Sequence, residues 1–153
     1  MRVLFWKGPC GFFGTLVRIR TRSAYIHSEL LFSDGARFRI APGEVSRFYV
    51  PADAPRWDGA VWDCLEVAGG DEAFVRKWCF EQSGTKYDWL GLALCQVLPW
   101  GREHPDRWFC SEQCTAGLQA GGYPAVADLK PHYQSPAKLA AALVHRGATF
   151  QLP

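Results

Sequence analysis

The sequence predicts an α+β fold, and three observations support this. At 153 residues the chain is long enough to bury a core and short enough to form a single domain, residues 1–153. Aromatic residues make up 14% of it, seven of them Trp, and each buried ring removes a large apolar area from water. Apolar runs that alternate with polar residues are interspersed with segments whose apolar residues recur every three or four positions, which indicates both strands and helices.

Periodicity and turn residues divide the chain into elements. The predicted strands are residues 3–6, 25–32, 36–40, 46–50, 62–67 and 149–152. The predicted helices are residues 12–19, 71–82, 89–98, 110–121 and 136–145, with loops at 41–58 and 99–107. Residues 16–21 also alternate in polarity and could instead be a strand that places Arg18, Arg20 and Arg22 on one solvated face.

Charge and hydropathy argue against several classes of partner. The formal net charge is +2, too small to indicate nucleic acid or an anionic membrane as the main partner. No apolar run approaches the roughly 20 residues that cross a bilayer, so we expect no transmembrane segment. The apolar run at the N-terminus is too short for a signal peptide, and we expect a cytoplasmic protein, with export by another route left open.

The six cysteines are spread over the chain without a CxxC pair. A disulfide framework is not expected in that context, and zinc sites are usually formed by two close ligand pairs, whereas Cys110-x3-Cys114 is only one. We therefore expect buried free thiols, no metal and no cofactor. Cys110 is the exception, because its position suits a nucleophilic thiolate.

Cys110 lies where a loop pattern changes to a helical one. A cysteine attacks as its thiolate, and the free N–H groups and aligned peptide dipoles at a helix N-terminus favour negative charge there. The same N–H groups can stabilise the oxyanion that forms when a carbonyl is attacked. Cys110 is therefore the candidate nucleophile, and it needs a base within hydrogen-bond reach.

Four histidines compete for the role of base. His104 and His132 lie in predicted loops, and His145 lies near the end of the last predicted helix. His27 is on a predicted strand, which can hold an imidazole rigidly, and alternation places it on one face with Tyr25, Glu29 and Leu31. Spacing alone leaves the choice open.

Three short motifs, in this order, resemble those of a known family. They are His27-Ser28-Glu29-Leu30, then Gly84-x-x-Tyr87-Asp88-Trp89, then Phe109-Cys110-Ser111-Glu112. Together they resemble the permuted branch of the NlpC/P60 papain-like cysteine hydrolases, and in particular its small phage and prophage-type members. In that branch the His strand precedes the Cys helix, as His27 precedes Cys110 here. The resemblance covers residues 3–121.

The resemblance implies a circularly permuted papain-like fold, with the nucleophile helix packed on an antiparallel sheet. It implies a thiol hydrolase in which His27 takes the proton of Cys110 and the thiolate cleaves an amide bond, for instance in cell-wall peptide. The alternatives are an acyltransferase or thioesterase acting on a lipid-like acyl group, and a weakly active binding or virion-structural module. Tyr87 matches a position that lines the cleft. A phage- or virion-associated protein is also consistent with the resemblance.

The sequence departs from the family pattern at the third polar residue. The family takes it from the strand after the His strand, but residues 36–41 read ARFRIA and contain none of the expected His, Asn, Gln or Glu. Glu29 is the available substitute, and an arginine close to His27 would disfavour the imidazolium. Asp88 and Glu112 are expected either to make the cleft polar or to cap helices. The oligomeric state is left open.

The shape of the site is expected to separate the three functions. An apolar groove beside Cys110 would favour an acyl substrate, whereas a polar cleft would favour peptide. Deep burial of Cys110 would favour the binding module.

Overall fold

The computed structural model describes residues 1–54, 57–97, 104 and 106–152, without the side chains of Phe13 and of residues 94–97. Its strands are β1 (Arg2–Trp6), β2 (His27–Leu31), β3 (Arg37–Arg39), β4 (Arg47–Tyr49), β5 (Trp62–Glu66), β6 (Lys86–Tyr87), β7 (Arg107–Trp108) and β8 (Thr149–Gln151). Its helices are α1 (Phe12–Thr21), α2 (Glu72–Glu81), α3 (Trp89–Val97), α4 (Cys110–Ala120) and α5 (Pro136–His145), with 3-10 turns at Pro124–Val126 and Pro131–Tyr133. Within the described ranges, no helix is both long and apolar enough to cross a bilayer.

Six strands form one antiparallel sheet in the order β4-β3-β2-β1-β5-β8. The α+β class is therefore confirmed, and the predicted elements match the observed ones to within two residues at each end. The end of the predicted helix at Leu98 and most of the predicted loop 99–107 lie outside the described residues. The short parallel pair β6 and β7 was not predicted.

One face of the sheet carries the main hydrophobic core and is covered by α2, α4 and α5. Alternation along β1 and β2 directs Val3, Phe5 and Leu30 to this face, which we call the helix-covered face. They pack with Leu118 of α4 and Leu139 of α5, and all five residues are buried. Burial of this apolar area is the main source of stability and fixes α4 against β2.

The opposite face, which we call the cavity face, carries the polar side chains of interest. His27 and Glu29 of β2 lie on it, beside Trp6 of β1 and Trp62 of β5. The prediction that Tyr25 shares this face is wrong. The strand begins only at His27, and the Tyr25 ring packs on Phe5 of the helix-covered face, with ring centroids 5.3 Å apart.

Helix α1 crosses the cavity face at the end where β2 begins. Residues 16–21 belong to this helix, so the alternative strand is wrong. Nor is Arg18 part of a solvated face: its Nη2 donates to the carbonyl oxygen of Lys7 at 2.7 Å and its Nε to that of Ala24 at 3.2 Å. Because Lys7 follows β1 and Ala24 precedes β2, Arg18 fastens α1 to the sheet.

The buried free thiols expected from the sequence are present. Free cysteines with described side chains are Cys10, Cys64, Cys79, Cys110 and Cys114, and all but the half-buried Cys10 are buried. The side chain of Cys95 lies outside the described residues.

Candidate active site

Cys110 is the first residue of α4, and the local sequence explains why the helix begins there. Phe109 has an extended backbone (φ −107°, ψ 164°), and its fully buried ring anchors the loop that enters the helix. The carboxylate of Glu112 accepts the Phe109 N–H at 3.3 Å. This is half of a capping box, since Phe109 has no side-chain acceptor for the other half. Glu112 therefore caps the helix.

The edge of β2 is uncovered at the point where α4 reaches it. Strand β3 pairs with β2 only at Leu30 and Leu31, so it ends before Ser28 and His27. The backbone N–H of Ser28 donates to the sulfur of Cys110. The thiol thus lies at the sheet edge, where a helix on one face can meet His27 from the other.

The surroundings of Cys110 favour its thiolate. Burial alone would raise the pKa of this thiol. The positive charge and hydrogen bond of His27, together with the N–H groups of Ser28 and Ser111, outweigh burial and hold the pKa of Cys110 below its usual range. The helix N-terminus supplies the Ser111 N–H, as expected from the sequence.

His27 bonds both to Cys110 and to Glu29. Its Nε2 lies 3.0 Å from Oε1 of Glu29, which leaves Nδ1 for the thiol. Burial alone would lower the pKa of His27, but the charges of Cys110 and Glu29 and its hydrogen bonds to both raise that pKa to about 10. The surroundings therefore favour the thiolate of Cys110 and the imidazolium of His27 as a pair.

Glu29 bonds the imidazole of His27, and two arginines pair with its carboxylate. Arg37 forms an ion pair with Oε2 of Glu29, and both residues are almost fully buried. Continued by one residue, the β2–β3 register places Arg39 opposite Glu29, and its Nε lies 3.8 Å from Oε1. Burial alone would raise the pKa of Glu29, but His27, Arg37 and Arg39 outweigh it and lower that pKa.

The expected penalty from an arginine near His27 is therefore not found. The arginines of β3 pair with Glu29, and the pKa of His27 is raised. The carboxylate lies between the imidazole and the guanidinium groups and offsets both charges.

A cavity of about 460 Å³ opens on the cavity face beside His27. Glu29, Arg39 and His27 are its charged or basic lining groups, Cys10 and Tyr87 add a thiol and a phenol, and most of the remaining lining is apolar. The larger apolar side chains come from β1, β5, α1, α3 and the segment before β2, and they are Trp6, Val17, Ile26, Trp62, Trp89 and Leu92. The site is therefore a mainly apolar pocket in which His27, Glu29 and Arg39 are neighbours.

Tyr87 lines this cavity. Burial raises its pKa well above the usual value, and the charges of Cys110 and Asp88 raise it further. The phenol stays protonated and can donate a hydrogen bond. Asp88 itself accepts the Gly91 N–H at 2.9 Å, so it caps α3.

Cys110 is only 2% exposed and does not itself line the cavity. His27 and Tyr87 do line it; His27 bonds the sulfur, and the charge of Cys110 acts on the phenol of Tyr87.

The other histidines have different surroundings. His104 accepts the Asp106 N–H at 3.2 Å, the ring of His132 packs on Tyr133, and His145 is exposed at the end of α5. Of the four candidates, His27 is the one that bonds Cys110. Among the residues that the structure describes, no three His, Cys, Asp or Glu side chains are grouped so as to hold a metal ion.

Comparison of this chain with protein-family models, curated proteins and solved structures gave no match. The family resemblance thus depends on the three motifs, which the structure brings together at one end of the sheet. Sequence reasoning missed Arg37, Arg39 and the Ser28 N–H as parts of the site. The alternation of the two arginines in residues 36–41 was the signal for the first two, since it places both on one face.

Proposed function

We propose that this protein is a cysteine-dependent acyl hydrolase or acyltransferase acting on a substrate with an apolar acyl group. Cys110 is the nucleophile, His27 the acid and base, and Glu29 the group that orients His27. The observation that carries the proposal is the Cys110–His27–Glu29 chain at the end of an apolar cavity. Tyr87 supports the site as a cleft-lining donor.

The reaction begins with attack of the Cys110 thiolate on the substrate carbonyl carbon. The carbonyl oxygen becomes an oxyanion, which the free N–H groups at the start of α4 stabilise. The His27 imidazolium then gives its proton to the leaving alkoxide or amine as the carbon–leaving group bond breaks. An acyl-Cys110 thioester and a neutral imidazole remain.

The second half of the reaction releases the acyl group. Neutral His27 takes a proton from water, the hydroxide attacks the thioester, and the thiolate of Cys110 leaves. Product acid and the original thiolate–imidazolium pair result. An alcohol or amine in place of water makes the same site an acyltransferase.

The cavity lining favours an acyl chain over a peptide. Trp6, Trp62 and Trp89 offer ring faces and edges, and few polar groups beyond His27, Glu29 and Arg39 are present to satisfy a peptide backbone. The hydrolysis of cell-wall peptide suggested by the resemblance uses the same first step but would leave many amide groups without partners.

The permuted papain-like fold is part of the proposal. It is supported by the strand of His27 preceding the helix of Cys110, and by the packing of that helix on β2 of an antiparallel sheet.

The burial of Cys110 favours a second candidate function. A binding or virion-structural module would keep this fold without turnover, and a thiol at 2% exposure fits that role. In that case the ion pair is a structural feature of the core.

Turnover on chromogenic esters tests the proposal. We expect p-nitrophenyl esters to be hydrolysed with kcat/KM rising as the acyl chain lengthens from acetyl to octanoyl, because each added CH2 group is buried in the cavity. Dipeptide p-nitroanilides should be poorer substrates. Mass spectrometry should detect the acyl group on Cys110 during the reaction.

The matched control is Cys114→Ala, one turn further along the same helix, beside Cys110→Ala. Loss of turnover in Cys110→Ala alone supports the proposal. Equal turnover in both variants, or none in the wild type, favours the binding module.

A further inference from the structure

The outer face of α1 is apolar and exposed. Phe12, Leu16 and Ile19 are spaced by four and three residues, so they lie on one side of the helix. Phe12 is 82% exposed and Ile19 is 70% exposed. Gly14 and Val17 lie on the opposite side and line the cavity. The helix is thus a cavity wall whose outer surface also carries large apolar side chains.

Helix α3 extends this surface. It contacts α1, and its whole length, Trp89–Val97, contains no charged residue. Trp89 lines the cavity and is still half exposed, as is its neighbour Leu90. The two walls of the cavity therefore both expose apolar side chains to solvent, which is unusual for the surface of a free monomer.

The charge of this part of the chain is strongly one-sided. The first 28 residues contain five Lys and Arg residues and no Asp or Glu, so the remaining 125 residues carry 12 basic and 15 acidic residues. The net charge of +2 hides a basic end at about +5 and a remainder at about −3. Arg20 and Arg22, at the end of α1, are exposed beside the apolar face.

We propose that the α1–α3 surface docks on an anionic lipid membrane. A helix with exposed apolar residues and flanking arginines lies in the interface of such a membrane, with the apolar side chains among the acyl chains and the cations near the headgroups. Since the inner sides of the same helices line the cavity, docking brings the cavity to the lipid. The claim that the docked enzyme takes its acyl group from the membrane rests on the proposed function, whereas the docking itself does not.

Vesicle flotation of the full chain tests this surface. We expect binding to phosphatidylcholine vesicles that contain one third phosphatidylserine, and weaker binding to phosphatidylcholine alone. Phe12→Ser with Ile19→Ser should reduce binding at least about tenfold. Arg20→Gln and Arg22→Gln should each reduce it about fivefold, and only on the anionic vesicles.

The matched control is Phe74→Ser, which removes a phenylalanine that is 60% exposed on α2, away from the cavity. Unchanged binding in this variant, with loss in the α1 variants, supports the docking surface. Wild-type protein that does not float, or α1 variants that float normally, would overturn it. Sedimentation that shows a dimer lost in Phe12→Ser with Ile19→Ser would also overturn it, because a second copy would then cover the face.

Failure of docking and failure of catalysis are distinguishable. Cys110→Ala should bind vesicles like the wild type while losing turnover. Phe12→Ser with Ile19→Ser should retain hydrolysis of a short, water-soluble ester while losing vesicle binding. Binding that disappears in Cys110→Ala contradicts the assignment of docking to α1 and α3.

Discussion

Glu29 lies between two cations, with His27 on one side and Arg37 on the other. Its carboxylate raises the pKa of His27, and the imidazolium in turn lowers the pKa of Cys110. Arg37 also lies over the Trp62 ring, with its guanidinium carbon 4.9 Å from the ring centroid. A single buried carboxylate therefore links the stability of the sheet to the reactivity of the thiol.

Substitution of Glu29, alone and together with Arg37, separates these two roles. Glu29→Gln leaves Arg37 buried without its counter-charge, so we expect the free energy of unfolding to fall by about 3–5 kcal/mol. Glu29→Gln with Arg37→Met removes both charges and should recover most of that loss in urea unfolding. In both variants, alkylation of Cys110 at pH 6 should be at least about tenfold slower than in the wild type.

The double variant is the informative one. Recovery of stability together with normal alkylation would contradict the role of Glu29 in setting the reactivity of Cys110, because only its structural role would then remain.

The pH dependence of turnover follows from the shifted pKa values of Cys110 and His27. The first step needs the thiolate of Cys110 and the imidazolium of His27 at once. Because the pKa of Cys110 is lowered, kcat/KM should rise with pH and reach its plateau below the range where ordinary thiols ionise. Because the pKa of His27 is raised to about 10, kcat/KM should fall only as pH passes about 10.

The falling limb of this pH profile, the decrease of kcat/KM at high pH, has a control variant. In Glu29→Gln the carboxylate that raises the pKa of His27 is lost, so that limb should move to lower pH. A falling limb near pH 6.5 in the wild type would contradict the ion pair.

At the scale of elements, the contact of α4 with β2 sets the geometry of the site. Gly117 lies where the two elements meet, and a Cβ there would lie 3.0 Å from Cδ1 of Leu30 and 3.3 Å from the Trp78 ring. The helix approaches the strand closely because this residue has no side chain. The same approach brings Cys110 to the uncovered edge of β2.

Gly117→Val should therefore disturb both stability and reactivity. The added methyl groups must push α4 away from β2, and we expect a loss of about 1–3 kcal/mol in urea unfolding. Alkylation of Cys110 should slow as the contact with His27 lengthens. Ala120→Val, on the exposed side of the same helix, is the control and should change neither measurement by much.

Local patterns predicted the elements well because each depends on nearby residues. The periodicity of α1, the Asp71 side chain that accepts the Ala73 N–H, and the Pro136 that begins α5 are all visible in sequence. Two-residue strands such as β6 are too short to show a period, so the parallel pair β6 and β7 was missed.

The site was predictable only in part. Cys110 at a helix start and His27 and Glu29 on one strand face follow from pattern, although the choice of His27 over the other histidines required the family resemblance. The role of Arg37 depends on the register of β2 against β3, which short-range spacing does not specify. The Ser28 N–H is a backbone donor, and no side chain marks it in the sequence.

At the scale of the whole molecule, the two faces of the sheet differ: one packs the main core and the other carries the candidate site. The helix-covered face buries the main core, and the cavity face carries the cavity with His27, Glu29 and Arg39. Strands β1, β2 and β3 contribute side chains to both faces, whereas Leu139 and Leu143 of α5 pack in the core and do not line the cavity. Substitutions in that part of the core should therefore change stability without changing the reactivity of Cys110.

Leu139→Ala tests this separation. Leu139 of α5 is fully buried in the main core, and truncation should lower the free energy of unfolding by about 2–5 kcal/mol, as measured with urea. The rate of Cys110 alkylation in the folded protein should stay close to that of the wild type. A large drop in that rate would show that the core and the site are not independent.

The most direct test of the thiolate–imidazolium pair is selective alkylation. Native protein is treated with iodoacetamide at pH 6, and the modified cysteines are mapped by mass spectrometry in wild type and His27→Ala. Burial raises the pKa of Cys114 well above its usual value, so this neighbour in the same helix serves as the internal reference. We predict fast labelling of Cys110 that His27→Ala abolishes; labelling of Cys110 no faster than that of the other cysteines would contradict the account.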